Sequence, residues 1–252
     1  MSAVSAEDKL WISRAEDALQ LSRKRYDIKT LGFLNPYQRV LIEKSVFPDS
    51  DMQMFFDGGY ESAERTLMVC CPEYYLAAPE DYIAALQITG RELADLSHRD
   101  YLGSLMGLGI ARENIGDILV SESGASVFMK PEIAVYVLQN LSKIGRRGVT
   151  VCQCALTEIE IPERPVKNIV GTVASLRLDS VLSTALGISR SKASELIRGG
   201  MVTVNFEPTE ETSNMLEEGA VLSVRGFGRM RLSEIGGMTR KGRYSITISR
   251  YV

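Results

Sequence analysis

The chain has 252 residues, 45% of them hydrophobic and 24% charged, with a net charge of −3. That is an ordinary soluble composition with room for roughly one to three domains. It excludes a helical membrane span, since no apolar run approaches ~18 residues, and residues 1–19 lack the basic start and apolar stretch of a secretory signal, so a cytoplasmic protein is expected.

Residues 5–25 read as a helix, with Leu10, Trp11, Ala15, Ala18, Leu19 and Ser22 near one side. Arg23-Lys24-Arg25 close it with the charge that the helix dipole prefers. Residues 36–46 read as a second helix, with Pro36 suited to its first turn. Residues 51–56 and 66–71 read as strands around a polar connector at 57–65, which is long for a tight hairpin; long polar loops often carry function. A strand is expected at 82–88, a helix capped by Ser97 at 99–108, a hairpin of 115–120 and 125–129 around Glu122-Ser123-Gly124, a helix at 133–141 and a strand at 149–156. Lys143, Arg146 and Arg147 gather just after that last helix, beside Gly145 and Gly148. Residues 158–172, with Pro162 and Pro165, read as a join. The cysteines are Cys70, Cys71, Cys152 and Cys154; neither pair has the C-x-x-C spacing of a zinc site, and buried free thiols are expected.

The stretch after the join carries the strongest pattern. Apolar residues at 178, 181, 182, 185 and 186 mark one face of a helix, and Gly187 stands where a left-handed stop belongs. Ser189 is a candidate cap for a second helix, with Ala193, Leu196 and Ile197 as its apolar stripe and Gly199-Gly200 as its end. A short strand at 201–204 follows, with Asn205 at its turn. Arg190 and Lys192 stand in the first turn of the second helix, where the dipole favours anions. A phosphate docked on the free N–H groups there would offset that cost.

Charge is unevenly spread. Residues 225–250 hold Arg225, Arg229, Arg231, Arg240, Lys241, Arg243 and Arg250 against Glu234, a local +6, while residues 207–218 hold five glutamates and no base. A basic surface can therefore exist on an acidic protein. Gly226-Phe227-Gly228 reads as a hairpin turn, which places Arg229 and Arg231 on one strand face; they are expected to extend the surface of Arg190 and Lys192. The closing segment, with Tyr244, Ile246 and Ile248 alternating with polar residues, reads as a half-buried strand.

The order RLDSVL, SRSKASELIRGG, VTVN over roughly 60 residues resembles the RNA-binding domain named after small-subunit ribosomal protein S-four, two antiparallel helices against a small sheet. The resemblance implies an RNA-contacting face from the second helix and the neighbouring strand, with Arg177, Ser189, Arg190, Ser191, Lys192, Arg198, Asn205, Arg225, Arg229 and Arg231 as candidate contacts. That domain usually has Asn-Gly at its hairpin turn. Here Asn205 is followed by Phe206, Glu207 and Pro208, and a longer or differently shaped turn is expected. With FDGGYESAER at 56–65, LSHRDYLGSLMGLGIARENIGDILV at 96–120 and LSKIGRRGV at 141–149, the resemblance extends over nearly the whole chain to the YlmH family of bacterial proteins. It implies an α+β protein: an N-terminal α/β-plait-like unit (1–90), a middle RNA-binding α+β unit (91–170) and the C-terminal module (174–252). It also implies ribosomal RNA or tRNA as partner, on large ribosomal subunits that carry stalled peptidyl-tRNA, together with a link to cell division. His98, Arg99, Lys143, Arg146 and Arg147 are candidates for a second RNA surface.

Catalytic motifs fail on their context. His98-Arg99-Asp100 copies a kinase triplet, but Leu105 stands where the required Asn belongs. Arg177-Leu178-Asp179 copies a pseudouridine synthase triplet, but Asp179 lies inside the module's own first helix, where a first-turn acid suits the dipole. His98 is the only histidine, so no two-histidine metal site exists. No catalytic residue, metal or cofactor is expected. A non-catalytic RNA-binding factor leads; an RNA-modifying enzyme with its centre in 51–121, and a protein-interaction adaptor, stay open beside it.

Overall fold

A computed structural model describes residues 5–162 and 165–251. Residues 1–4, which open the stretch tested for a secretory signal, residues 163 and 164 of the expected join, and residue 252 lie outside the described residues. The chain is α+β and divides into two compact units, Met1–Pro162 and Glu163–Val252.

The first unit begins with α1 (Ala6–Arg25), whose N-cap Ser5 accepts from the Asp8 amide while Asp8 reaches back to the Ser5 amide. That reciprocal pair satisfies two of the amides a helix start leaves open. Asn35 and Gln38 build the same device before α2 (Pro36–Ser45). Both helices pack on an antiparallel sheet of β1 (Lys29–Leu34), β2 (Met52–Asp57) and β3 (Thr66–Pro72), in the order β1-β3-β2. β3 is central and buried along its length. Its side chains alternate: Met68 and Cys70 meet the helices, with Ala15, Leu31, Leu34 and Ile42. Leu67 and Val69 point to the other face, where they join Phe33, Ile83, Ala85 and Phe128. This second core exists because a strand buried on both faces needs apolar partners on each.

Those partners come from a five-stranded antiparallel sheet of β4 (Ala84–Gly90), β5 (Ile115–Ser121), β6 (Gly124–Met129), β7 (Lys143–Ile144) and β8 (Arg147–Cys154), ordered β5-β6-β4-β8-β7. Leu86, Ile88, Val127 and Met129 face α3 (His98–Gly107) and α4 (Pro131–Asn140), which contribute Tyr101, Leu105, Ala134 and Val137. Each fully buried side chain of this size contributes about 1.5–3 kcal/mol relative to exposure.

The second unit is a six-stranded antiparallel sheet with both helices on one face. Its elements are β9 (Val166–Val173), α5 (Leu178–Leu186), α6 (Arg190–Arg198), β10 (Val202–Val204), β11 (Glu207–Pro208), β12 (Val221–Val224), β13 (Gly228–Met238) and β14 (Tyr244–Tyr251). The order is β11-β10-β12-β13-β14-β9. Val181, Leu182, Ala185, Ala193 and Ile197 of the helices pack on Leu222, Val224, Met230, Leu232, Ile246 and Ile248 of the sheet. Gly187 ends α5 at φ 65°, and the Ser189 side chain caps α6 through the Lys192 amide.

Several expectations move. β1 was not read from the sequence. Residues 166–173 form a strand that pairs along its whole length with β14 instead of a join. The strand at 84–90 is the middle of the second sheet, so the change of sheet falls before residue 84 and not at 90. Cys70 and Cys71 are buried free thiols, and burial pushes the Cys70 thiol up to about 12. Cys152, however, is exposed and Cys154 half-buried, because their side chains alternate with Val149 and Val151, which face the helices.

Candidate nucleic-acid interface

In the second unit the α5–α6 pair is tied by one carboxylate. Asp179 is buried and accepts from Arg177, 3.2–3.3 Å away, and from Arg190, 2.9–3.0 Å away. Burial pushes its pKa up, but the bonds from Arg177 and Arg190 more than reverse this and hold it below the ordinary 3.8. Arg190 is therefore not a free helix-start cation: part of its charge is spent on Asp179, while its side chain stays 53% exposed. Two guanidiniums on one carboxylate leave a net positive charge at this corner. Lys192 is exposed and pairs with Glu195 at 2.9 Å. Ser189, Ser191 and Arg198 are exposed on the same helix. The acidic stretch folds back near these residues: the carbonyls of Thr212 and Asn214 accept from the amides of Asp179 and Leu178, and Arg177 bridges to Met215.

The turn after β10 corrects the expected longer or differently shaped turn. Val204 pairs with Glu207, so Asn205 and Phe206 alone make the turn. Both take left-handed backbone, φ 48° and 71°, the conformation of the two-residue turn for which Asn-Gly is favoured. Asn205 is held from both sides: its amide donates to the Val221 carbonyl at 2.7 Å and its side-chain oxygen accepts from the Val221 amide at 2.9 Å. Its first role is to fix the turn against β12.

Arg229 and Arg231 share a face of β13, flanking buried Met230 and Leu232. Met230 and Leu232 face α5 and α6, so the two arginines face the opposite side of the sheet. The single basic surface expected to join them to Arg190 and Lys192 is not formed, because the sheet lies between. The Arg229 guanidinium lies 5.4 Å from the Phe206 ring centre. Arg225 is exposed in the 225–227 turn.

In the first unit, Lys143, Arg146 and Arg147 are not at a helix end. They form a hairpin of β7 and β8, with Ile144 paired to Arg147 around Gly145, φ 58°, and Arg146. A strand forms because Leu141 and Ile144 are drawn into the core. Lys143 and Arg146 are exposed. Arg147 makes a double contact with Asp95, one of its bonds at 2.6 Å, which engages part of its charge. The Gly145 amide meets the Ser104 hydroxyl of α3 at 3.3 Å. Arg99 is exposed on α3. His98 opens that helix, and its charged neighbours are Arg112, Asp117 and Glu64; partial desolvation, then Arg112, lowers its pKa. His98 therefore belongs with the 57–65 loop rather than with the hairpin.

That loop is the feature sequence reasoning left without a role. Buried Asp117 accepts from the Tyr60 hydroxyl and the Glu64 amide, both at 2.7 Å, and from the Arg65 amide at 3.2 Å. Asp57 accepts from the Tyr82 hydroxyl at 2.6 Å. Gly58 is required by space, since a Cβ there would stand 2.3 Å from that of Ala63. Arg65 donates to the carbonyls of Ile115 and Phe33, and Arg112 to that of Ile115 as well. Burial, then Arg112, draws Arg65 down to about 10. These contacts brace the loop against β1 and β5. No periodicity announces such a network; only the density of Asp, Tyr, Gly and Arg in 56–65 hints at it.

Residues 79–158 match the family described as "Putative RNA-binding domain in YlmH", and residues 176–222 match the S4 domain. A Bacillus subtilis (strain 168) protein named "Ribosome-associated protein quality control protein P2" is 34% identical over 248 residues, 97% of this chain and 95% of that protein. A solved structure, "Cell division protein ylmH from Streptococcus pneumoniae", has a TM-score of 0.52 at 23% identity and covers 63% of this chain and 97% of its own. That structure speaks to fold alone. Identity of this level over almost the full length of the Bacillus protein shows the family: the chain belongs to the YlmH family.

Proposed function

We propose that the protein is a non-catalytic RNA-binding factor that docks on ribosomal RNA or tRNA. The observation that carries the proposal is α6, where Arg190, Ser191 and Lys192 face solvent from a helix start capped by Ser189, with Arg198 exposed at the other end of the same helix. A helix N-terminus with cations and hydroxyls around it suits phosphate oxygens. The two family matches support RNA as the ligand. The Bacillus relative's name supports the ribosome as the place of docking and protein quality control as its setting; the large subunit that carries stalled peptidyl-tRNA is the docking site that the family resemblance implies. No helix among the described residues is long and apolar enough to cross a membrane, and the cytoplasm is the compartment where such docking occurs. Lys143, Arg146 and Arg99 are proposed as the second surface, with Arg147 beside them partly engaged by Asp95.

The residues once tempting as catalysts have structural occupations, which favours binding over chemistry. Asp179 is held by two arginines, and Asp100 caps α3 through Ser97. Two experiments test the proposal. Crosslinking in cells should recover ribosomal RNA or tRNA on the protein. Mass spectrometry of ribosomal RNA from cells with and without the gene should give the same set of modified nucleosides. A missing modification would make the protein an enzyme, and the absence of crosslinked RNA would leave an adaptor.

A further inference from the structure

The Asn205-Phe206 turn places a large aromatic where the backbone favours glycine. At φ 71° an L side chain is strained. A strained residue persists when something else fixes it, and such residues gather at functional sites. The core does not account for this one. The Phe206 ring is half-buried and lies outside the cluster that joins the helices to the sheet. Its ring contact is the Arg229 guanidinium, 5.4 Å from its centre. The register sets Thr203, Ser223 and Arg229 side by side, on the sheet face opposite Leu222, Val224 and Met230. Arg231, exposed, is next along that face. The patch is thus an aromatic ring, small hydroxyls and two guanidiniums, on the side of the sheet away from both helices.

We propose that Phe206 is a stacking platform for one unpaired base of the RNA, and that Arg231 meets the adjoining phosphate. The proposal rests on the RNA-binding reading and narrows it to a ligand with at least one unstacked nucleotide. A ring and a guanidinium offer flat faces to a base, whose own faces are exposed only when it leaves a helix. The positive charge of Arg231 complements the phosphate that follows such a base. A duplex offers phosphates but no free face, so it would use α6 and not this patch. An apolar protein partner would find hydroxyls and charge where it needs a groove.

The test uses the full chain with two RNA ligands at one salt concentration, a single-stranded oligonucleotide and its fully paired duplex. Phe206→Gly should leave the unfolding midpoint unchanged or raise it, because glycine suits the turn. It should weaken single-strand binding about 5- to 150-fold, the range for one lost base–aromatic stack, and leave duplex binding within about twofold. Phe206→Asn, which also tolerates the left-handed backbone, should behave like Phe206→Gly, and Phe206→Trp should keep single-strand affinity. Unchanged single-strand affinity in both non-aromatic variants overturns the platform, as does an equal loss on both RNAs. A lowered midpoint in both variants overturns it too, by giving the ring a structural task. If the wild-type protein binds neither RNA, the RNA-binding reading itself falls.

Discussion

Asp179 stands in the first turn of α5 with only 6% of its side chain exposed, and both of its guanidinium partners are more open than it is. Removing the carboxylate leaves two guanidiniums that water can reach, so the loss is that of the hydrogen bonds to a charged group rather than of a buried unpaired charge. Asp179→Ala should therefore lower stability by about 1.5–3 kcal/mol in denaturant unfolding. Arg190→Ala should also lower stability, since it removes half of Asp179's compensation, and a loss of RNA affinity in that variant mixes two causes. Lys192→Ala separates them: an exposed pair such as Lys192–Glu195 contributes only about 0.2–0.5 kcal/mol, so its effect should appear in binding and not in the unfolding midpoint. Acidity supplies another check. Asp179's pKa is depressed below 3.8 in the folded protein, so the stability it contributes is complete above that value and is lost as pH falls through the folded pKa. The stability gap between the wild type and Asp179→Asn should be constant at pH 5–7 and shrink below about pH 4. A gap that held constant through pH 3 would show that the arginines do not favour the ionised form.

At the level of elements, α3 invites a prediction in the stabilising direction. Gly103 lies inside this helix, and a Cβ there would meet nothing within 4 Å. Gly103→Ala should raise stability by about 1 kcal/mol, the ordinary gain for filling a helix position, as read by the denaturant midpoint. The helices were legible from their apolar periodicity and, for several, from punctuation: Pro36 in a first turn, Ser97 and Ser189 before a helix, Gly187 and Gly199 after one; the caps Ser5 and Asn35 show only in the structure. The strands were less so. β1 is short, contains Gly32 and is buried on both sides of its bulge, so it shows no alternation. β9 is an edge strand preceded by Pro162 and Pro165, and its long partner β14 lies far along the chain; nothing local distinguishes it from a linker. The 143–147 hairpin looked like a helix end because its basic residues follow α4 directly. Burial of Ile144, a tertiary effect, turns it into a strand.

For the molecule as a whole, the sequence made the basic stretches legible, but not their facing. Alternation along β13 put Arg229 and Arg231 together, which the structure confirms, yet only the packing of Met230 and Leu232 shows that they turn away from the helices. The pairing of Arg147 with Asp95 was equally hidden, since 52 residues separate them. Lys143 and Arg146 remain the exposed cations of that hairpin, and their joint neutralisation should weaken binding to ribosomal RNA while leaving the unfolding midpoint in place. The central claim is docking on RNA through α6. It is tested most directly by the salt dependence of full-length protein binding to ribosomal RNA, compared with that of Lys192→Ala/Arg198→Ala. Phosphate contacts make affinity fall with salt, and losing two of them should reduce the log–log slope by roughly 1.4–1.8. An identical slope for the variant and the wild type would contradict the assignment of α6 as the phosphate-binding element.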